Sequence, residues 1–192
     1  MTYNFMIAGV GGQGTVLASK LIAAAAMKKG FNVRTTETIG MAQRGGCVFG
    51  HIRIGDNIFS PLIPLGKADA IIAFEPAEAV RQLVYLKPES GTVIACDNII
   101  KPVADPKGSS YEAAAMIDFL KANTSKLIIA DGKQLTNQNA KTLNVSLLGA
   151  AAQHGIFPFD ADTLKDILPE MLPQRILEMN LKAFELGRKL IS

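Results

Sequence analysis

Cysteine is scarce, with only Cys47 and Cys96 in 192 residues. A cysteine-ligated iron–sulfur cluster or an all-cysteine zinc site needs four thiolates, so this chain by itself supplies neither. No His/Asp cluster at metal-ligand spacing makes up the deficit. No Ser–His–Asp order and no paired catalytic carboxylates stand out, and the chain alone does not advertise a reaction. Nothing points to an oxidising compartment, so the two thiols are expected reduced and packed rather than bridged. Long apolar runs are missing too. The longest, residues 21–27, is far too short to span a bilayer, and Met1-Thr2-Tyr3-Asn4 lacks a positive n-region, which makes the cytoplasm the expected location. Charge of one sign is also absent: 20 basic residues against 17 acidic ones leave +3, with the cations scattered. That excludes a nucleic-acid stripe while leaving room for a local anion site. With 48% hydrophobic and 19% charged residues and no low-complexity tract, the chain reads as an ordinary globular protein. A single domain over residues 1–192 is expected to bury roughly 70% of the unfolded chain's surface.

What is present is an alternation of strand-like and helix-like segments. Residues 4–8 read as a short apolar strand, Gly9-Val10-Gly11-Gly12-Gln13-Gly14 as a glycine loop, and the alanine-rich stretch beyond as a helix. Leu17, Leu21, Ala24 and Ala25 fall on one helix face, Lys28 and Lys29 occupy the last turn, and Gly30 stands at the C′ position. Residues 31–36 give a second strand. CVFGHIRI, the turn Gly55-Asp56-Asn57 and IFSP predict a hairpin, with Ile52 and Ile54 alternating against His51 and Arg53 as on a half-buried strand. Strands over 70–74 and 92–96 flank a helix over 76–86. A helix over 112–122, a strand over 127–130 and a helix over 139–154 follow, and Pro158 and Pro169 punctuate the tail. The last segment, 173–191, sets Ile176, Asn180, Ala183, Gly187 and Leu190 along one side of an amphipathic helix, where small residues permit close approach. The expected fold class is α/β: a doubly wound, largely parallel, Rossmann-like sheet with a β-hairpin insertion.

Gly9, Gly11 and Gly14 match G-x-G-x-x-G between a predicted strand and a predicted helix. Backbone N–H groups and the positive helix end could hold a phosphate there. The competing reading, of even weight, gives these glycines only a tight turn and helix–sheet contact. Glu37 stands near the spacing at which dinucleotide folds place a ribose-binding acid. Residues 37–60, however, leave no room for the crossover helix such folds need after their second strand, so NAD, NADP and FAD are not expected ligands. Glu37, Gln43, Arg44 and His51 bring four polar side chains near a loop bearing Gly40, Gly45 and Gly46, beyond the carboxyl end of a strand where open sheets bind ligands. Arg44 reads as a ligand or subunit contact, His51 more as a surface or hydrogen-bonded strand histidine than as a base. Asn144 and Asn180 read as side chains bonded to nearby backbone, and Met41, Met116, Met171 and Met179 as core filler.

Together GVGGQG at residues 9–14, ETIGMAQRGG at 37–46, HIRIGD at 51–56, SPLIPLGKAD at 60–69, FEPAEAVR at 74–81 and NLKAFELG at 180–187 resemble one family over nearly the whole chain. It is the gamma subunit of 2-oxoacid:ferredoxin oxidoreductases, with particular likeness to the small (beta) subunit of indolepyruvate ferredoxin oxidoreductase. The resemblance implies an enzyme that oxidatively decarboxylates a 2-oxoacid, such as indolepyruvate or another aryl pyruvate, with coenzyme A to acyl-CoA, carbon dioxide and reduced ferredoxin. It implies that thiamine diphosphate and the iron–sulfur clusters sit on large partner subunits, that ferredoxin is met through the complex, and that this chain holds no cofactor alone and is inactive alone. It carries over Gly9, Gly11, Gly12, Gln13, Gly14, Gln43 and Arg44 as candidate cofactor-binding residues, near a coenzyme A region. A large apolar face should then be buried against the partner or, in the isolated chain, in a homodimer. The competing expectation is a free-standing nucleotide- or phosphate-binding Rossmann-like domain.

Overall fold

The computed structural model describes residues 1–40, 46–101, 111–136 and 139–190. Among them the strands β1 (Thr2–Val10), β2 (Val33–Ile39), β3 (Cys47–Gly55), β4 (Ala70–Ala73), β5 (Thr92–Cys96) and β6 (Lys126–Ala130) form one mixed sheet in the order β2-β3-β1-β4-β5-β6. β1, β4, β5 and β6 run parallel. β3 runs antiparallel to both of its neighbours, β1 and β2. The helices are α1 (Thr15–Lys28), α2 (Pro76–Gln82), α3 (Ala113–Asn123), α4 (Gly132–Leu135), α5 (Leu143–Gln153), α6 (Ala161–Met171) and α7 (Gln174–Leu190).

The central strands are apolar without interruption because both faces of the sheet are covered. Phe5 and Ile7 of β1, with Ile72 and Ile94, pack on the side of α1, α5, α6 and α7. Met6 and Ala8, with Ile71 and Val93, pack on the other side against Ala79 of α2, Leu120 of α3 and Ile63 of the segment after β3. The apolar stripe of α1 runs through Ala18, Leu21, Ile22, Ala25 and Ala26, rotated one position from the predicted face, and leaves Leu17 and Ala24 only partly buried. Gly30 does terminate α1 in the left-handed region, at φ 84°, with the Phe31 N–H closing on the Ala26 carbonyl at 3.1 Å. The small side of the last helix also does what its sequence predicts. A Cβ on Gly187 would run into the Ser146 carbonyl of α5, and one on Gly149 into the Phe184 carbonyl of α7.

The hairpin insertion exists, but its partners differ from those the pattern predicts. β3 pairs with β2 rather than with the segment after Gly55, and Ile58 to Ser60 form no strand. The alternation in HIRI identifies a strand but cannot say which neighbour it pairs with, and β2 lies close in sequence with a matched length. Beyond Pro158 a full helix, α6, follows, capped by the Asp160 carboxylate, which accepts the Thr163 N–H at 2.7 Å. Pro169 sits near its end without breaking it, within the last turn. α4 is a single turn that apolar spacing cannot reveal. Among the methionines, Met6 is fully buried and Met171 is exposed, so core filling falls elsewhere than expected there.

Candidate functional site

From β1 the chain leaves through the glycine loop to α1 on one side of the sheet, and from β4 it leaves to α2 on the other. Adjacent strands whose connections diverge leave a crevice at their carboxyl ends, where open α/β sheets bind ligands. Gln13 spans it. Its Oε1 accepts the Val10 N–H at 2.8 Å and its Nε2 donates to the Phe74 carbonyl at 3.1 Å, tying the end of β1 to the end of β4. Gly9 must lack a side chain for this brace to fit, since a Cβ there would lie 2.7 Å from Gln13 Oε1 and 3.1 Å from the Phe74 ring. Gly14 caps α1 at φ 79°, with the Asn144 amide donating to its carbonyl at 3.3 Å. The Gly11 N–H donates to the Gly46 carbonyl at 2.9 Å, and the Gly40 N–H to the Cys47 carbonyl at 2.9 Å, so the neck of the β2–β3 hairpin is fastened to the glycine loop.

Gly11, Gly12 and Gln13 form one wall of a cavity of about 390 Å³. Asn98, Ile99 and Ile100, following β5, with Thr136, Ala140, Lys141 and Leu143 form the rest. The volume lies within the usual range for small-ligand sites, and so does the composition of apolar walls with a few polar groups. An amide, a hydroxyl and an ammonium are available there beside the N-terminal end of α1, suited to a partly apolar ligand carrying an anionic group.

A polar cluster lies behind the crevice at the start of α2. Glu75 is fully buried: one carboxylate oxygen accepts the Glu78 N–H at 3.0 Å as the helix cap, the other accepts the Tyr111 hydroxyl at 3.1 Å. Burial pushes the Glu75 carboxyl upward and the Tyr111 hydroxyl to about 12, the latter helped by the Glu75 charge. Glu78 is buried and pairs with Arg81 at 3.1 Å. Burial, and then Glu78, push the Cys47 thiol to about 12, and burial pushes Cys96 to about 11, so both stay protonated near neutrality. Both cysteines are free.

Of the residues singled out in the sequence, the structure gathers Gly9, Gly11, Gly12, Gln13 and Gly14 at the crevice, whereas Gln43 and Arg44 lie outside the described residues. Glu37 and His51 are not brought together. Glu37 pairs with Gly50 and His51 with Thr36, so successive positions of the pleat send their side chains to opposite faces. β3 also stands between β2 and β1. This moves Glu37 about two strand spacings, roughly 10 Å, from the strand a dinucleotide would lie against. His51 is buried with its Nδ1 accepting the Ile63 N–H at 3.2 Å, a hydrogen-bonded strand histidine away from the crevice. Asn144 and Asn180 both bond backbone, Asn180 to the Ile176 carbonyl at 2.8 Å. Sequence reasoning misses Asn98, Thr136, Lys141, Glu75, Glu78 and Tyr111. Only the pair at α2 leaves a signal, an acid before Pro76 with a second acid three residues on, which is a helix-start pattern.

A glycine loop at a parallel-sheet crevice, with an antiparallel hairpin replacing the second crossover, defines an α/β fold distinct from the dinucleotide-binding one. The chain belongs to the pyruvate ferredoxin/flavodoxin oxidoreductase family, whose pattern matches residues 4–190. It is 38% identical to indolepyruvate oxidoreductase subunit IorB of Pyrococcus horikoshii, over 97% of this chain and 95% of that one. It is 37% identical to the IorB subunit of Archaeoglobus fulgidus, over 97% of this chain and 94% of that one. In fold it matches the keto/oxoacid ferredoxin oxidoreductase gamma subunit of Geobacter sulfurreducens, with a TM-score of 0.70, 21% identity and 98% of each chain covered. It also matches the 2-oxoglutarate:ferredoxin oxidoreductase of Magnetococcus marinus, solved with 2-oxoglutarate, coenzyme A and succinyl-CoA bound. There the TM-score is 0.70 at 21% identity, covering 99% of this chain but 31% of that one. Among the described residues no helix is long and apolar enough to cross a membrane.

Proposed function

We propose that this chain is the small subunit of a 2-oxoacid:ferredoxin oxidoreductase of the indolepyruvate type. The reaction is the oxidative decarboxylation of an aryl pyruvate with coenzyme A, giving acyl-CoA, carbon dioxide and reduced ferredoxin. Thiamine diphosphate and the iron–sulfur clusters belong to a larger partner chain; for the clusters the support is that two cysteines are too few for a four-thiolate site. The observation that carries the reading is the likeness to IorB subunits over 97% of the chain. The cavity supports a role for coenzyme A: its apolar walls suit the pantetheine arm, and Lys141 at its rim suits a phosphate. Gly11, Gly12 and Gln13 contribute one wall of that site, and Gln43 and Arg44 remain candidate contacts from the sequence, a guanidinium being able to bind phosphate or carboxylate through two parallel hydrogen bonds. The subunit has no activity alone and works in the cytoplasm beside its partner.

The test is co-expression with the large subunit of an indolepyruvate oxidoreductase. Indolepyruvate- and coenzyme A-dependent reduction of a viologen dye by the pair, with none by the small chain alone, supports the reading. A large chain that neither binds this one nor gains activity from it refutes the reading.

A further inference from the structure

The two outer layers of the molecule differ in degree, the α2/α3 side carrying fewer ion pairs among the described residues, Arg81–Glu78 and Lys121–Asp118. The layer of α1, α6 and α7 is laced with ion pairs: Lys28–Glu170, Lys29–Asp160, Lys165–Glu185, Lys182–Glu178 and Arg188–Asp162. That is a surface made for water. The opposite layer presents Phe59, Leu62, Leu65, Val84 and Phe119 to solvent, at 92%, 59%, 67%, 61% and 50% exposure. The last three are linked through neighbouring backbone and a shared groove. The Gly66 N–H donates to the Val84 carbonyl at 3.0 Å, and Val84 and Phe119 line the same groove of about 390 Å³ with Val80, Leu83, Leu86 and Pro88.

The strap that carries the first three, residues 58–66, contains no charged residue, yet it is firmly held. The Arg53 guanidinium, bonded through Nε to Asn4 Oδ1 at 2.9 Å, donates to the Ser60 carbonyl at 3.0 Å and the Leu62 carbonyl at 3.3 Å. His51 accepts the Ile63 N–H, and Ile63 itself is buried. An irregular segment fixed on its inner side and apolar on its outer side holds its side chains in place before anything binds them, which removes part of the ordering cost of association. Exposed apolar side chains gathered on a firmly held segment are what a protein-binding face presents.

Resting on the subunit reading above, we propose that the strap and the adjoining α2/α3 groove are the surface on which the large partner chain docks, through a complementary apolar patch, with Phe59, Leu62 and Leu65 as anchors. The occupant is the large chain rather than a second copy. In the Magnetococcus marinus oxidoreductase this fold is built into a chain about three times as long, of which it covers 31%. A fold that can be fused into the larger polypeptide has a face meant for that polypeptide. The α1/α6/α7 face, more densely ion-paired, fits that role less well.

The experiment uses the co-expressed complex with Leu62→Asp/Leu65→Asp in the small chain. Met27→Asp, at an exposed apolar position of the ion-paired layer, is the control, and Leu62→Met/Leu65→Met is the conservative variant. Circular dichroism and thermal melts of the free small chain establish that each variant is folded. The expected result is an affinity for the large chain at least about thirtyfold weaker for the Asp pair, with wild-type affinity for the control and the Met pair. Wild-type affinity for a folded Asp pair overturns the docking surface while leaving the subunit reading intact. Equal weakening by Met27→Asp overturns it as well. A wild-type chain that does not bind the large chain at all refutes both, and a strap-dependent dimer of the free chain assigns the surface to a second copy instead.

Discussion

Replacing Gln13 separates the two roles that its position allows, brace or ligand contact. In Gln13→Ala the Val10 N–H and the Phe74 carbonyl lose their partners, and these residues are 3% and 0% exposed. A buried polar group left unsatisfied costs about 1–3 kcal/mol, so two of them, with some relief from water entering the crevice, give about 2–4 kcal/mol of lost stability. For a domain of this size that lowers Tm by roughly 5–15 °C. Urea titration of the free small chain measures it without the partner or any ligand. Gln13→Glu refines the test: a carboxylate still accepts from Val10 but sets an oxygen against the Phe74 carbonyl, and only its protonated form can donate there. Its folded-state pKa is therefore raised. Its stability deficit against wild type is full above that raised value, shrinks as pH falls through it, and reaches its floor below the unfolded glutamate value of about 4.3. A loss under about 0.5 kcal/mol for Gln13→Ala, far below the cost of two orphaned groups, joined to a raised KM for coenzyme A in the complex, would refute the brace and make Gln13 a ligand contact.

Gly187→Ala drives a methyl group into the Ser146 carbonyl. It should cost about 3 kcal/mol or more, read as loss of soluble yield or of the thermal transition. Gly14 stands at φ 79° and against Asn144. Gly14→Ala should cost about 2 kcal/mol by the same melt, the penalty of a side chain in the left-handed region. His51 is held neutral by burial, its pKa lowered. Its contribution is complete above the unfolded value of about 6.5 and is lost as pH falls below it. Wild-type Tm should drop between pH 7 and 5 more than that of His51→Asn. Cys47 and Cys96 should react with a disulfide reagent at pH 8 far more slowly than a free thiol, because thiols raised to about 12 and 11 carry little thiolate there. In the complex, Arg44→Ala should raise the KM for coenzyme A or weaken assembly by about tenfold or more, with Arg44→Lys recovering only part.

The parallel core is readable because its strands are short apolar runs bounded by helix signals, and the range 92–96 coincides with β5. The glycine loop is readable for the same reason: its punctuation is local. Pairing of β3 is not, since period-two alternation fixes a face and not a neighbour. Asn98 comes to the crevice from the connection after β5, Thr136 and Lys141 from the one after β6, and nothing in their local sequence tells that these strands end beside the loop that follows β1. Tyr111 reaches Glu75 across 36 positions of chain, a contact that only the fold creates. Glu37 is the opposite case. Its spacing from the loop fits a ribose-binding acid, and the inserted strand removes that meaning.

α3 is fastened to the sheet with only one fully buried residue, Leu120, and begins without a side-chain cap. A single buried leucine contributes about 1.5–3 kcal/mol, far less than the global stability of a domain. The helix can therefore lift away while the sheet stays whole. In hydrogen exchange its amides should trade protons for deuterons by this partial opening, insensitive to low denaturant. Those of β1, walled in on both faces, should exchange only when the entire molecule unfolds.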